Sequence, residues 1–142
     1  MQWTRSGDDL FIRLDPGEEI HQKLRELADE VDFNAAAITS GIGRTREHHF
    51  GYMSDEHVYH RRQYKEGAEL ITLQGNLARL ADGSAFTHIH ATWCRDDDKV
   101  MAGHMFECTI HVVGEIHMRI LSHSIMKRCP LEDSEFLALK FE

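Results

Sequence analysis

Only two prolines and ten glycines punctuate the 142 residues. That is too few for a disordered linker or a low-complexity tail. Cysteine is equally sparse: Cys94, Cys108 and Cys129 are odd in number, and no two lie close in sequence. A disulfide scaffold is thereby excluded, and a reducing cytoplasm is expected. No apolar run approaches the roughly 20 residues that span a bilayer. The N-terminal stretch MQWTRSGDDLFIRL has neither a continuous apolar core nor a small-residue cleavage signal. The expectation is a cytoplasmic protein with no membrane partner. Basic residues are also short, 16 Lys and Arg against 24 Asp and Glu, for a net charge of −8. Nucleic-acid affinity comes mostly from neutralised phosphates, so this balance counts against direct DNA binding. The pairs Arg61-Arg62 and Lys127-Arg128 have no basic neighbours to extend them.

What is present is enough for one domain over residues 1–142. A chain of this length buries roughly two thirds of its unfolded surface and needs no metal merely to fold. LFIRL, 10–14, reads as a first strand. Asp15 then offers a helix cap, Pro16 suits the first helical position, and Glu18 stands three residues past the cap. Ile20, Leu24, Leu27, Ala28 and Val31 recur at helical spacing, so a helix is predicted over about 16–31. Beyond it the helical period disappears. AAAIT reads as a short buried strand, SGIGR as a glycine turn, and HHFGYM and HVYHRRQY as strands. ELITLQGNLARL is a strand pattern with a bulge expected at Gly75-Asn76. Asp82-Gly83 marks a hairpin turn, AFTHIHATWC another strand, and RDDDK a polar turn. Long β-rich sequence follows, with a break expected at Gly114, and EFLALKF closes the chain as a strand. One helix and about seven strands joined by short turns make an α+β domain with a mainly antiparallel sheet.

Histidine, by contrast, is plentiful, at eleven residues. Alternation along a strand puts His88 and His90 on one face. A hairpin symmetric about Asp97 places His90 directly opposite His104, Thr92 opposite Ala102 and Phe106 opposite His88. Opposed residues share a face with Cβ atoms about 5 Å apart, and a diagonal neighbour sits at about 7–8 Å. His88, His90 and His104 therefore form a triangle whose side chains can converge on one ion. A two-residue turn at Asp82-Gly83 would put Gly75 opposite His90 and Leu77 opposite His88, leaving space beside the triangle for a ligand or a second subunit. Three neutral imidazoles suit zinc, with nickel, copper and iron as alternatives on ligand type. Three protein ligands leave a fourth position open, as in catalytic rather than structural zinc sites.

Other residues carry less. His21, His57, His60, His111, His117 and His123 read as surface or hydrogen-bonded histidines, and at most one of His48 and His49 could face the triangle. Glu47 and His48 are candidates for a general base, as is a residue of a neighbouring subunit. Glu107 has the wrong parity to join His104. Cys94 and Cys108 read as small buried hydrophobes, and Trp3 and Trp93 as packing residues. No Ser/His/Asp order and no nucleophile elbow is present, so no reaction class or catalytic residue is assigned.

The segments IRLDPGEEIHQKLRELADE, AAAITSGIGR, LQGNLARLADGSAFTHIHA, VMAGHM and MKRCPLEDSEFLALKF, in this order, resemble the plants-and-prokaryotes conserved domain family, written PPC or PCC. H-x-H followed by Gly-His after the next turn is the most specific part. The resemblance implies a seven-stranded, mainly antiparallel sheet packed with a helix and assembled as a homotrimer. It also implies zinc on the histidines matching His88, His90 and His104, near a subunit boundary. The family's DNA-binding label belongs with AT-hooks, and no Arg-Gly-Arg-Pro core is present here. Two departures stand out: Ala102-Gly103 where the family often has two glycines, and a longer, more acidic RDDDK turn. A cupin is the competing fold, but Cys94 and Arg95 stand where its glutamate would follow H-x-H. Three functions follow in order. The first is a zinc-binding homotrimer acting on or sensing a small molecule. The second is a non-catalytic assembly or regulatory module that recruits a protein partner. The third is direct DNA binding.

Overall fold

A computed structural model describes all 142 residues. The first strand, β1 (Gln2–Ser6), was not expected; it pairs antiparallel with β2 (Asp9–Leu14), the strand foreseen at LFIRL. Helix α1 runs Ile20–Val31, so it starts four residues later than its sequence signals suggest. Gly17 is the cause: its φ of 88° bends the chain, and its N–H donates to the Ile110 carbonyl. Glu18 does reach back to the Asp15 N–H as a capping residue would, at 2.8 Å. It closes a turn, however, and Glu19 takes over as the cap, its side chain accepting from Gln22 N–H. Ile20, Leu24, Leu27 and Ala28 are fully buried, and the opposite face is solvated, as the spacing predicted.

The rest is β. Strand β3 (Ala36–Met53) runs through the SGIGR segment without turning, its register shifting at several bulges instead. It pairs with β4 (Tyr59–Tyr64) and β5 (Ala68–Arg79). Strand β6 (Ala85–Arg95) pairs with β5 on one side and β7 (Val100–Ile120) on the other, and β7 returns to β3. The sheet therefore closes on itself around β3, β5, β6 and β7. Gly114 does not break β7. It lies inside the strand opposite Leu14 and Gly43, where a side chain would strike Ile110 Cδ1 at 2.6 Å. Strands β8 (Met126–Pro130) and β9 (Leu137–Phe141) form a last antiparallel pair, joined to β5 by one parallel bridge. Nine strands thus replace the expected seven, in one mainly antiparallel sheet with one helix. The main core joins α1 to the inner face of this sheet, with Trp93 fully enclosed. Trp3 stands partly exposed on the edge strand β1 instead of packing inside. No helix is long and apolar enough to cross a membrane.

Candidate metal centre

Burial along β6 alternates residue by residue: Thr87, Ile89, Ala91 and Trp93 turn to the core, while His88, His90, Thr92 and Cys94 turn outward. The RDDDK turn sets the other half of the site. Arg95 N–H donates to Lys99 O at 2.9 Å and Asp98 N–H to Arg95 O at 3.0 Å, with Asp98 at φ 62°. This three-residue loop is centred on Asp97, and its acidity has a use: Asp96 is gripped by both Arg44 nitrogens at 3.0 and 2.9 Å, which ties the turn to β3. His90 accordingly pairs with His104, and Thr92 with Ala102. The rings of His88, His90 and His104 lie 5.0–5.3 Å apart centre to centre, and one ligand nitrogen from each lies within 4.8 Å of the others. Tetrahedral zinc ligands stand roughly 3.4 Å apart, so modest ring rotations suffice to gather them. Gly103, next to His104, has the Gly51 carbonyl 2.4 Å from where a Cβ would be, so only glycine fits there. Ala102 points to solvent, and the departure from a double glycine costs nothing.

The ladder between β6 and β7 stops at His90 and His104, so Phe106 does not pair with His88 as expected. His21 of α1 fills the gap from below. Its Nε2 lies 3.0 Å from the Met105 carbonyl and its Nδ1 2.7 Å from Thr87 Oγ1. A carbonyl can only accept, so Nε2 carries the proton and Nδ1 accepts from the threonine. Sequence reading treated His21 as incidental. In the structure it fixes the two strands at the residues adjoining His88 and His104.

The second hairpin departs from expectation. Leu80 N–H donates to Ser84 O and Gly83 N–H to Leu80 O, with Gly83 at φ 85°, so the loop has three residues and centres on Asp82. Gln74 then faces His90, Gly75 faces Ile89 and Asn76 faces His88. Gly75 leaves no space for a ligand, because the His88 carbonyl oxygen lies 2.0 Å from its would-be Cβ. Nor is there a bulge at Gly75-Asn76; the irregularity falls between Leu70 and Thr72. Asn76 Oδ1 instead accepts from Arg128 Nη2 at 2.5 Å, and the same nitrogen lies 3.2 Å from His88 Nδ1. A guanidinium can only donate, so His88 Nδ1 is the acceptor in this arrangement. Tyr59 brings its hydroxyl to 3.4 Å from His104 Nδ1.

Burial is the largest cause lowering all three imidazole pKa values. His88, with Arg128 and His90 adding repulsion, is pushed down to about 4. His104, beside His88 and His90, is pushed to about 3. All three are neutral at physiological pH, the form that ligates. Two depressions adjoin both His88 and His104. One, about 170 Å³, is walled by Tyr59, Arg61, Phe106, Arg128 and Phe136. The other, about 550 Å³, opens over Gly51, Tyr52, His90 and Gly103.

The remaining candidates separate clearly. His48 is fully buried between Thr45 and the Tyr64 carbonyl, both its nitrogens engaged, so it cannot serve as a base for this site. Glu47 sits exposed at φ 53° and lines neither depression. His49 pairs with Glu107 at 3.2 Å, away from the trio. His60 stacks on Tyr52, and His117 contacts Asp9 and Thr39. Cys108 is buried, its thiol pushed up to about 12 by desolvation, whereas Cys94 is only half-buried. Tyr59, Asn76 and Arg128 were missed because they arrive from other strands. The only sequence signal was Arg128 within the alternation of MKRCP.

A search of curated proteins returned no match. Solved structures do match. A metal-containing protein of Archaeoglobus fulgidus superposes with a TM-score of 0.83 at 25% identity, covering 96% of this chain and 95% of that one. A plant- and prokaryote-conserved (PPC) protein of Pyrococcus horikoshii gives 0.82 at 24% identity, over 99% and 95% of the two chains. A protein of Bacteroides thetaiotaomicron, described as a proposed DNA-binding protein, gives 0.89 at 21% identity, over 99% and 96%. The model of the Plants and Prokaryotes Conserved (PCC) domain matches residues 1–122, a span that holds the H-x-H pair, the Gly-His and the helix but stops short of β8 and β9. With that match over most of its length, the chain belongs to the Plants and Prokaryotes Conserved domain family.

Proposed function

We propose that His88, His90 and His104 hold one divalent transition-metal ion, zinc on ligand type, and that the protein acts on or senses a small molecule beside it. The reading includes a homotrimeric, cytoplasmic protein. The observation that carries it is the convergence of three imidazole nitrogens within 4.8 Å on strands pinned from beneath by His21. Their low pKa values mean that little proton competition opposes an ion at neutral pH. The metal-containing description of the Archaeoglobus protein, a structural relative, supports a metal in this fold. A zinc ion there would supply Lewis-acid polarisation of a carbonyl or activation of water. Tyr59 would set the ring orientation of His104 by accepting from its Nδ1, whereas Arg128, which can only donate, would release His88 Nδ1 when His88 ligates.

The uncovered sheet face supports the trimer: Ile42, Ile71 and Val112 are each about half exposed where β3, β5 and β7 run side by side. The same face favours a second reading, a non-catalytic assembly module whose metal only stiffens the site. Direct DNA binding ranks third, given a net charge of −8. The deciding experiment is metal analysis of protein purified without an affinity tag. Stoichiometric zinc, lost in His90→Ala, is expected; a chain that carries no metal and takes up none would end the reading. Under the assembly reading, His90→Ala lowers thermal stability but leaves partner binding intact.

A further inference from the structure

Arg128 is 3% exposed, yet its hydrogen-bond partners are all neutral: Leu137 O at 2.8 Å, Asn76 Oδ1 and His88 Nδ1. Its Nε is buried with no partner at all. A guanidinium so deeply enclosed without a counter-anion is costly. It also stands beside a histidine that the metal-centred reading makes a cation ligand, and two positive centres that close repel. Both problems have one remedy, an anion between them. The 170 Å³ cavity offers the place. Arg61 adds a second cation there, its guanidinium carbon 4.1 Å over the Phe106 ring. Glu135 is the one carboxylate on the wall, and it is held by the Tyr59 N–H at 2.8 Å. Phe86, Phe106, Phe136 and Leu137 supply the apolar part of the wall.

We infer that this cavity is a binding site for a small carboxylic acid with a short apolar tail, its carboxylate held by Arg128 and Arg61 and its tail against the phenylalanines. A planar carboxylate matches the guanidinium fork, whereas a bare phosphate would leave the aromatic wall unused. The volume lies below the usual 300–1,000 Å³ of drug-sized pockets, which selects a molecule of a few carbons. Arg128 and Phe136 lie in the C-terminal segment beyond the residues that match the family model. The acid site rests on the metal-centred reading for the atom its carboxylate would meet, but not for its own arginines.

The test is an NMR titration of zinc-loaded and metal-free protein, following arginine Nε signals, with butyrate, butyramide and inorganic phosphate as probes. Butyrate should saturate with shifts at Arg61 and Arg128 and bind at least about tenfold more tightly than butyramide, the difference between charged and neutral partners. Arg61→Gln, at an exposed position that leaves folding intact, should weaken butyrate by about tenfold without changing metal content. Arg128→Lys should weaken it too, because a lysine cannot reproduce the fork. Equal binding of butyramide or phosphate, an unchanged affinity in Arg61→Gln, or no saturable butyrate binding would each overturn the assignment. Arginine-dependent butyrate binding to a chain that takes up no zinc would uphold the acid site and remove the metal. Zinc uptake without butyrate binding would do the reverse.

Discussion

His88, His90 and His104 hold their protons more weakly folded than unfolded. An unfolded histidine titrates near 6.5, whereas burial lowers His90 and pushes His88 to about 4 and His104 to about 3. His21 and His48 move in the same direction for the same reason. Between those values the unfolded chain binds protons that the native chain refuses. Stability is therefore fully present above about pH 6.5 and drains away as pH falls toward 4 and below. The melting temperature of the metal-free protein should drop across that interval. A curve flat from pH 7 to pH 4 would contradict the burial of these rings. The same logic separates residues that look alike in sequence. His21 and His60 are both single histidines in polar company, but only His21 is drawn under β6 and β7, where its nitrogens are counted and used. Nothing within a few residues of His21 announces that, since its partners lie 66 and 84 positions away.

Hairpins decide the site at the next scale, and the two here share one design. In each, an aspartate at the centre bonds the N–H two residues on: Asp97 Oδ1 to Lys99 at 3.3 Å, Asp82 Oδ1 to Ser84 at 2.9 Å. In each, the next residue, Asp98 or Gly83, takes a positive φ. The first was legible because RDDDK has an obvious middle. The second was not, because Asp-Gly also signals a two-residue turn, and that choice moves every partner by one. The shift matters: it brings Asn76, not Leu77, beside His88 and so provides an acceptor for Arg128. It also makes Gly75 a point of backbone contact. Gly75→Ala should push β5 away from His88 and cost about 1–3 kcal/mol, as overpacking does. Denaturant unfolding measures that loss, and zinc affinity should fall with it. A variant as stable as the parent would show that the strands are not held this closely. The helix start illustrates the same lesson: Asp15, Pro16 and Glu18 carry correct local signals, but Gly17 is committed to Ile110 of a distant strand.

For the molecule as a whole, the closed set of β3, β5, β6 and β7 leaves three large aliphatic side chains exposed on adjoining strands. Ile42, Ile71 and Val112 expose 54%, 49% and 54% of their surface. If the trimer of the proposed function uses this face, light scattering should give three times the 16.4 kDa chain mass. Ile71→Glu with Val112→Glu should then yield monomers that retain the β-rich circular dichroism. A parent that is monomeric at micromolar concentration would remove the trimer and leave the three-histidine site untouched. Charge also acts at this scale: a chain of net −8 should not retard duplex DNA even in dilute salt, and a shift that fades steeply with added salt would reverse the ranking of functions.

Alternation along β6, the turn about Asp97 and the amphipathic period of α1 belong to local sequence, because strands and helices repeat every two and every 3.6 residues whatever surrounds them. Those periods, with the turn about Asp97, brought His88, His90 and His104 to one face. Tertiary structure alone decided what touches them. Arg128, Tyr59 and His21 reach the trio from β8, β4 and α1, and such meetings depend on how the whole sheet curls and on which buried polar atoms must find partners.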